Sequence, residues 1–429
     1  MLLIQNGYLI DPKSGTEGNF DVLMEGDRII KIGKVGRDMK KPVHCEVLDA
    51  EGLVVAPGLV DVHVHFREPG FTYKEDIATG AGAAARGGYT TVVLMANTKP
   101  PVDNEETLAL VLEKAKETDI HVVTCANVTM GMKGEKLTEM EKLAQCGAVG
   151  FTDDGVPLLD EELVRAAMEQ TARLDMPISF HEENPRLIAQ NGINRGRASE
   201  HFGIEGSPRE AEIDLIRRDL ELALETGACI NIQHISTAEG VELVRRAKAR
   251  GTGRNIHAEA TPHHFTLTEE AVIQYGTLAK MNPPLRTEED RLAIIRGLTD
   301  GTIDIIATDH APHSAEEKAK SLTEAPSGII GLETALSLGI TELVCKGYMT
   351  MRDLLRAMST NPAAMYHLDA GYLEEGGPAD LVLIDTAAVN VAGDYASKSD
   401  NSPFTGWELT GKVRATVCAG KLVYEEKGK

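Results

Sequence analysis

P-G-L-V-D-V-H-V-H-F-R-E-P-G, residues 57–70, decides the fold. A Pro-Gly turn opens it. Leu59, Val60, Val62 and Val64 then read as a buried strand, as in a parallel sheet. Alternate side chains of a strand share a face, so His63 and His65 point the same way and can serve one metal ion. The Arg-Glu-Pro-Gly turn that follows sets both histidines at the strand's C-terminal end, where α/β folds collect their ligands.

Outward from this stretch the texture is strand, loop, helix, repeated. Apolar strand candidates lie at 59–65, 89–95, 120–126, 148–152, 177–181, 228–234, 255–260 and 302–308. Helical patterns fall between them, at 74–87, 104–117, 135–146, 160–174, 208–226, 237–250 and 288–299. Eight such units predict a closed (β/α)8 TIM-type barrel in preference to a doubly wound open sheet. Further helices are expected at 331–346 and 351–359, with Asn361 as a cap before Pro362 opening another. Residues 1–54 and those beyond 371 read instead as short strands, with Glu25-Gly26-Asp27 as a hairpin turn. The expected organisation is a small β-sandwich domain from 1–54 plus 371–429, and a catalytic barrel from 55–370.

At 429 residues the chain is long enough for a barrel and a second, smaller unit. A net charge of −22 argues against nucleic acid, whose phosphates need a basic face. Six scattered cysteines without a C-x-x-C suggest reduced thiols and a cytoplasmic location. The N-terminus lacks a signal-peptide pattern, and no apolar run approaches about 18 residues, so no membrane span is expected.

The strand ends supply more candidate ligands. Strand four ends in F-T-D-D-G, offering Asp153 or Asp154, between which strand parity does not choose. Strand five ends in His181, then Glu182 and Glu183, which read as orienting or solvated groups. Strand six ends in Gln233-His234, and strand eight in Thr308-Asp309-His310. Four imidazoles with two or three carboxylates suit zinc, or less well manganese, iron or cobalt. Six ligands are too many for one tetrahedral ion and fit two that share a carboxylate and a water. His44, His201, His257 and His367 read as surface or core residues, and His121 lies at the wrong end of its strand. His263 and His264 lie near the mouth.

D-V-H-V-H-F-R-E-P-G, M-A-N-T-K-P, F-T-D-D-G, M-N-P-P-L-R, T-D-H-A-P-H and S-G-I-I-G-L-E-T, in this order, resemble the amidohydrolase superfamily, and within it the dihydroorotase family of the long bacterial type. The resemblance spans nearly the whole chain and implies reversible closure of N-carbamoyl-L-aspartate to L-dihydroorotate, in pyrimidine biosynthesis. It implies that His63 and His65 bind one Zn2+, that His181 and His234 bind another, and that Asp309 ligates and acts as the base. Asp154 matches the bridging ligand, where many relatives carry a carboxylated lysine that F-T-D-D-G lacks. Arg67, with Asn97 and His313, matches the grip on the substrate carboxylate, for which a guanidinium suits bidentate bonding. Asn282 and the backbone at Ser327 and Gly328 match contacts to the ring amides, and residues 309–327 are long enough for a lid. Relatives open two other readings: a hydantoinase or allantoinase, and an inactive scaffold for aspartate transcarbamoylase. The intact ligand set argues against the scaffold. The resemblance also allows a homodimer and association of an active chain with that transcarbamoylase.

Overall fold

The structure, a computed structural model, describes residues 1–250 and 255–426; the last three residues of the predicted C-terminal strand region, 427–429, lie outside it. Five strands come first: β1 (Leu2–Asp11), β2 (Thr16–Glu25), β3 (Arg28–Gly33), β4 (Glu46–Asp49) and β5 (Val54–Pro57). Three close the chain: β14 (Leu381–Val391), β15 (Glu408–Cys418) and β16 (Lys421–Glu425). Together they form one sheet in the order β16-β15-β14-β5-β1-β2-β3, with β4 also paired to β1. Both chain ends bury side chains in one apolar cluster, including Leu2, Ile4, Val22, Ile29, Leu381, Leu383 and Val417. This is the expected β-sandwich unit. Residues 2–11 run as one strand, with an irregularity where Asn6 takes a φ of 64°.

Between these ends lie the eight expected barrel strands: β6 (Leu59–Val64), β7 (Tyr89–Leu94), β8 (His121–Thr124), β9 (Phe151–Thr152), β10 (Pro177–Phe180), β11 (Cys229–Ile232), β12 (Ile256–Ala260) and β13 (Ile305–Ile306). All pair in parallel: β6-β7-β8 in one run and β9 to β13 in the other. Two parallel bridges join the runs, Ala126 to Phe151 and Val64 to His310, so the barrel closes. β6, β7 and β10 are buried at every position, as strands covered on both faces must be. β9 and β13 are shorter than their apolar runs suggested, because hydrogen-bonded pairing covers only part of each run.

The intervening helices have sequence-encoded ends. Asp76 caps Ile77–Arg86 and shares a capping box with Thr79; Thr287 does the same for Glu288–Asp300 with Asp290. The segment 351–365 departs from expectation. It is one continuous helix with a π-helical turn at Arg356–Thr360, so Asn361 does not cap a new helix. The π turn lets Pro362 enter without a break, and the Asn361 amide donates to the Asp304 carbonyl at 2.7 Å instead. No helix among the described residues is long and apolar enough to cross a membrane.

Candidate metal centre and substrate cleft

Each functional side chain sits at or just past the C-terminal end of a barrel strand. His63 lies in β6 and His65 follows it; Asn97 follows β7, Asp154 follows β9, His181 follows β10, His234 follows β11 and Asp309 follows β13. The parallel sheet aims all these ends at one mouth. The backbone bends sharply there: Arg67, His234 and Asp309 have φ values of 61°, 33° and 48°. Left-handed conformations in residues with a Cβ cost about 1–3 kcal/mol each and persist where the surroundings enforce them, typically at functional sites.

The six predicted ligands converge. His63 Nε2 lies 3.6 Å from Asp154 Oδ1 and 3.5 Å from Asp309 Oδ1. His65 Nε2 is 3.0 Å from Asp309 Oδ1 and 3.4 Å from Asp154 Oδ2. His181 Nδ1 and His234 Nε2 face each other at 3.0 Å and approach Asp154 Oδ1 at 3.6 and 3.7 Å. Three overlapping groups result, each able to hold a metal ion: His63–His65–Asp154, His63–His234–Asp309 and Asp154–His181–His234. Asp154 belongs to two of them. The donor set fits a borderline divalent ion, with imidazoles and carboxylates mixed. His63 Nε2, which faces the cluster, is buried without a hydrogen-bond partner, as a nitrogen reserved for an ion would be. Burial would raise the Asp154 carboxyl, but the neighbouring His63 charge and bonds from His181 and His234 hold it well below the usual carboxylate range.

Asp153 turns the other way. It accepts from Val128 N at 2.9 Å, from Thr129 N at 3.1 Å and from Asn127 Nδ2 at 3.2 Å, and so ties the end of strand four to the loop after strand three. The pattern alone left these two aspartates open; the geometry brings Asp154 to the histidines.

One residue of the site escaped the sequence reading. Glu259, fully buried near the end of β12, accepts from His63 Nδ1 at 2.5 Å, from Asn231 Nδ2 at 2.9 Å and from His234 N at 3.2 Å. It holds the proton of His63 on Nδ1 and leaves Nε2 facing the cluster. The only signal for it was a carboxylate inside an otherwise apolar strand, I-H-A-E-A. Glu183 has a matching role, with Oε2 3.0 Å from His181 Nε2, while Glu182 is buried beside Asp219 and Arg218. His264 bonds Thr261 and the Pro283 carbonyl, and His263 stays neutral, pushed down to about 3 by burial. His121 and His257 pair instead with Asp380 and Asp304, away from the mouth.

A cleft of about 170 Å³ opens over the cluster. His65, Asp154, His181, His234 and Asp309 line one part of it. Arg67, Asn97, Asn282, His313, Ser327 and Gly328, the predicted substrate contacts, line another part, beside Ala311. Asn97 links the two parts, with Oδ1 2.9 Å from His65 Nδ1 and Nδ2 donating to the Asp154 carbonyl at 3.2 Å. Among the described residues Arg67 has no carboxylate partner within ion-pair distance; its Nε donates to the Pro312 carbonyl at 3.2 Å, and its Nη2 lies 3.4 Å from His313 Nε2. Burial first, then Arg67, Lys74 and Lys318, hold His313 neutral. Gly328 has a φ of 143°, and a Cβ there would lie 2.9 Å from Ala311 O and His313 Cδ2, so only glycine fits. Residues 309–327, expected as a long loop, carry a short helix at Ala315–Lys318 and are pinned by Lys318 Nζ, which donates to the Pro326 and Gly328 carbonyls at 3.0 Å.

Comparison with known proteins agrees with this architecture. The model of the amidohydrolase family matches residues 54–423. A dihydroorotase from Clostridioides difficile (strain 630) is 53% identical over 99% of this chain and 100% of its own length. A dihydroorotase from Clostridium acetobutylicum is 51% identical, with both chains covered in full. Among solved structures, the L-hydantoinase (dihydropyrimidinase) from Arthrobacter aurescens superposes with a TM-score of 0.87 at 25% identity, covering 100% of this chain and 96% of that one. The chain belongs to the amidohydrolase family, and within it to the dihydroorotases.

Proposed function

We propose that this protein interconverts N-carbamoyl-L-aspartate and L-dihydroorotate, with the barrel of residues 55–370 as its catalytic unit. The observation that carries the reading is one cleft holding both a histidine–carboxylate cluster and an arginine that, among the described residues, has no carboxylate partner. The first suits hydrolysis of an amide; the second suits a substrate that brings its own carboxylate.

His63, His65, Asp154, His181, His234 and Asp309 would hold two Zn2+ ions, with Asp154 shared between them. Bound there, the ions supply Lewis acidity and lower the pKa of water to about 7, which gives a nucleophile at neutral pH. The protein's residues do the rest. Arg67 takes the substrate carboxylate with two parallel N–H donors, supported by Asn97 and His313. Asn282, Ser327 and the backbone at Gly328 meet the polar edge of the ring and fix its face toward the cluster. In the hydrolytic direction water attacks the ring carbonyl carbon and the C–N bond of the cyclic amide breaks. The Asp309 carboxylate, which the nearby His63 charge and the His65 bond hold low against burial, starts ionised. It accepts the proton of the attacking water and delivers it to the departing nitrogen. Ring closure follows the same path in reverse.

The proposal extends to a cytoplasmic enzyme that pairs as a homodimer and associates with aspartate transcarbamoylase; light scattering of the protein alone and with the transcarbamoylase tests both associations. The activity itself is tested by offering carbamoyl aspartate, dihydroorotate and a neutral hydantoin. Turnover of the first two is expected. Turnover of the neutral ring alone would overturn the substrate assignment.

A further inference from the structure

The segment between β14 and β15 reaches back over the mouth of the barrel. Ser399 Oγ donates to the Lys74 carbonyl at 2.7 Å, and Lys398 Nζ donates to the Thr72 carbonyl at 2.8 Å, so the segment is tied to the loop that follows Arg67. Lys74 in turn donates to His313 Nδ1 at 3.2 Å. Two residues on, Asn401 is 1% exposed. Its Oδ1 accepts from His313 N at 3.0 Å, and its Nδ2 donates to both the Ala311 and Gly328 carbonyls at 3.0 Å. Its own carbonyl accepts from Ile330 N at 3.1 Å. Every hydrogen-bonding site of this amide except one oxygen lone pair is used.

The three groups that Asn401 joins all line the cleft: Ala311 and His313 from one strand of the loop, Gly328 from the other. Two more side-chain bonds cross between the arms, from His313 Nε2 to the Ser327 carbonyl at 2.9 Å and from Lys318 Nζ to the Gly328 carbonyl at 3.0 Å, and Asn401 holds the backbone of both arms from outside them. The arms leave no room for a side chain at Gly328, where a Cβ would lie 2.9 Å from Ala311 O and His313 Cδ2, so a small separation of the two arms alters the cleft directly. The hydrogen bonds of Asn401 go to Ala311, His313, Gly328 and Ile330, not to the six cluster residues.

We propose that Asn401 is a positioning residue for the substrate carboxylate: its side chain fixes the distance between His313 and the Ser327–Gly328 wall, and through His313 the place of Arg67. This rests on reading Arg67 and His313 as the carboxylate grip. Asn401 contacts no reacting atom, so its loss weakens substrate binding in ground and transition states alike, which raises KM and leaves kcat in place.

The test uses the full-length, metal-loaded protein. Asn401→Asp keeps the shape and the acceptor for His313 N, but sets carboxylate oxygens against two carbonyls. Asn401→Ser is a second, milder variant that leaves the buried space to water. KM for dihydroorotate, kcat, metal content and melting temperature are measured for each. In folded variants KM is expected to rise by about tenfold or more, the equivalent of losing one buried polar contact. kcat and metal content stay at wild-type levels. An unchanged KM in either folded variant, or a fall in kcat at unchanged KM, overturns the proposal. A wild-type protein that turns over neither dihydroorotate nor carbamoyl aspartate overturns the functional reading as well, and that result is separate because it appears before any substitution is made.

Discussion

Replacing Glu259 with Gln removes one charge and keeps the shape. Glu259 accepts three hydrogen bonds in a fully buried position, from His63 Nδ1, Asn231 Nδ2 and His234 N. A glutamine offers one acceptor oxygen and an NH2 group, so at least one of these donors meets another donor. The damage falls on His63. Without a carboxylate at Nδ1, its proton is free to sit on Nε2, the nitrogen that faces Asp154 and Asp309. A protonated Nε2 cannot ligate. Losing a carboxylate that orients a metal-binding histidine typically costs about 10- to 100-fold in metal affinity, roughly 1.4–2.7 kcal/mol. The mispaired buried donor costs stability too, about 1–3 kcal/mol, less than the roughly 5–15 kcal/mol that holds a folded protein together. The variant is therefore expected to fold. Zinc titration of the metal-free protein against a competing chelator reads the affinity, and circular dichroism confirms folding. A folded Glu259→Gln protein that binds zinc as tightly as wild type would refute the role given to Glu259.

Three further outcomes are expected. Asp309→Asn should leave KM for dihydroorotate near wild type and lower kcat by about 10²–10⁴-fold, the usual worth of a general base; near-normal turnover would remove Asp309 from that role. Arg67→Met should raise KM for dihydroorotate by roughly 10- to 150-fold, as expected for losing charge-assisted bonds of about 1.5–3 kcal/mol, with an unchanged melting temperature; equal affinity would displace the carboxylate from Arg67. His257 lies 2.7 Å from Asp304, which overrides the opposing effect of burial and raises it to about 9. A pKa raised on folding stabilises the protein below the unfolded value near 6.5, and that stability is lost as pH rises through about 9. His257→Gln should therefore cost up to about 3 kcal/mol at pH 6, with a gap to wild type that closes by about pH 10; a gap independent of pH would contradict the pairing.

The barrel was legible because its strands are buried on both faces and announce themselves as apolar runs between turns. The histidine–carboxylate cluster was legible because each histidine or aspartate stands at the end of such a run. What was not legible depends on partners distant in sequence. Asp153 and Asp154 differ only in where the backbone turns after Thr152, and that is fixed by Val128, Thr129 and Asn127. Glu259 looks like a misplaced charge until His63, 196 residues earlier, is set against it. Asn401 lies in an irregular stretch with no periodicity to read, and its importance comes from Ala311, His313 and Gly328. At Asn361 a sound local rule failed: Asn before Pro favours a helix start, but the helix was already running and a π turn accommodated the ring.

The rim of the barrel, on the function proposed, holds a metal centre that opens and closes a carboxylated cyclic amide. Metal content and N-carbamoyl-L-aspartate cyclisation, measured on the same purified sample before and after chelation, test it most directly. The expected result is bound zinc near two equivalents per chain, with cyclisation lost on removal of the metal and regained on its return. Full cyclisation by metal-free protein, or none by fully loaded protein, would contradict it.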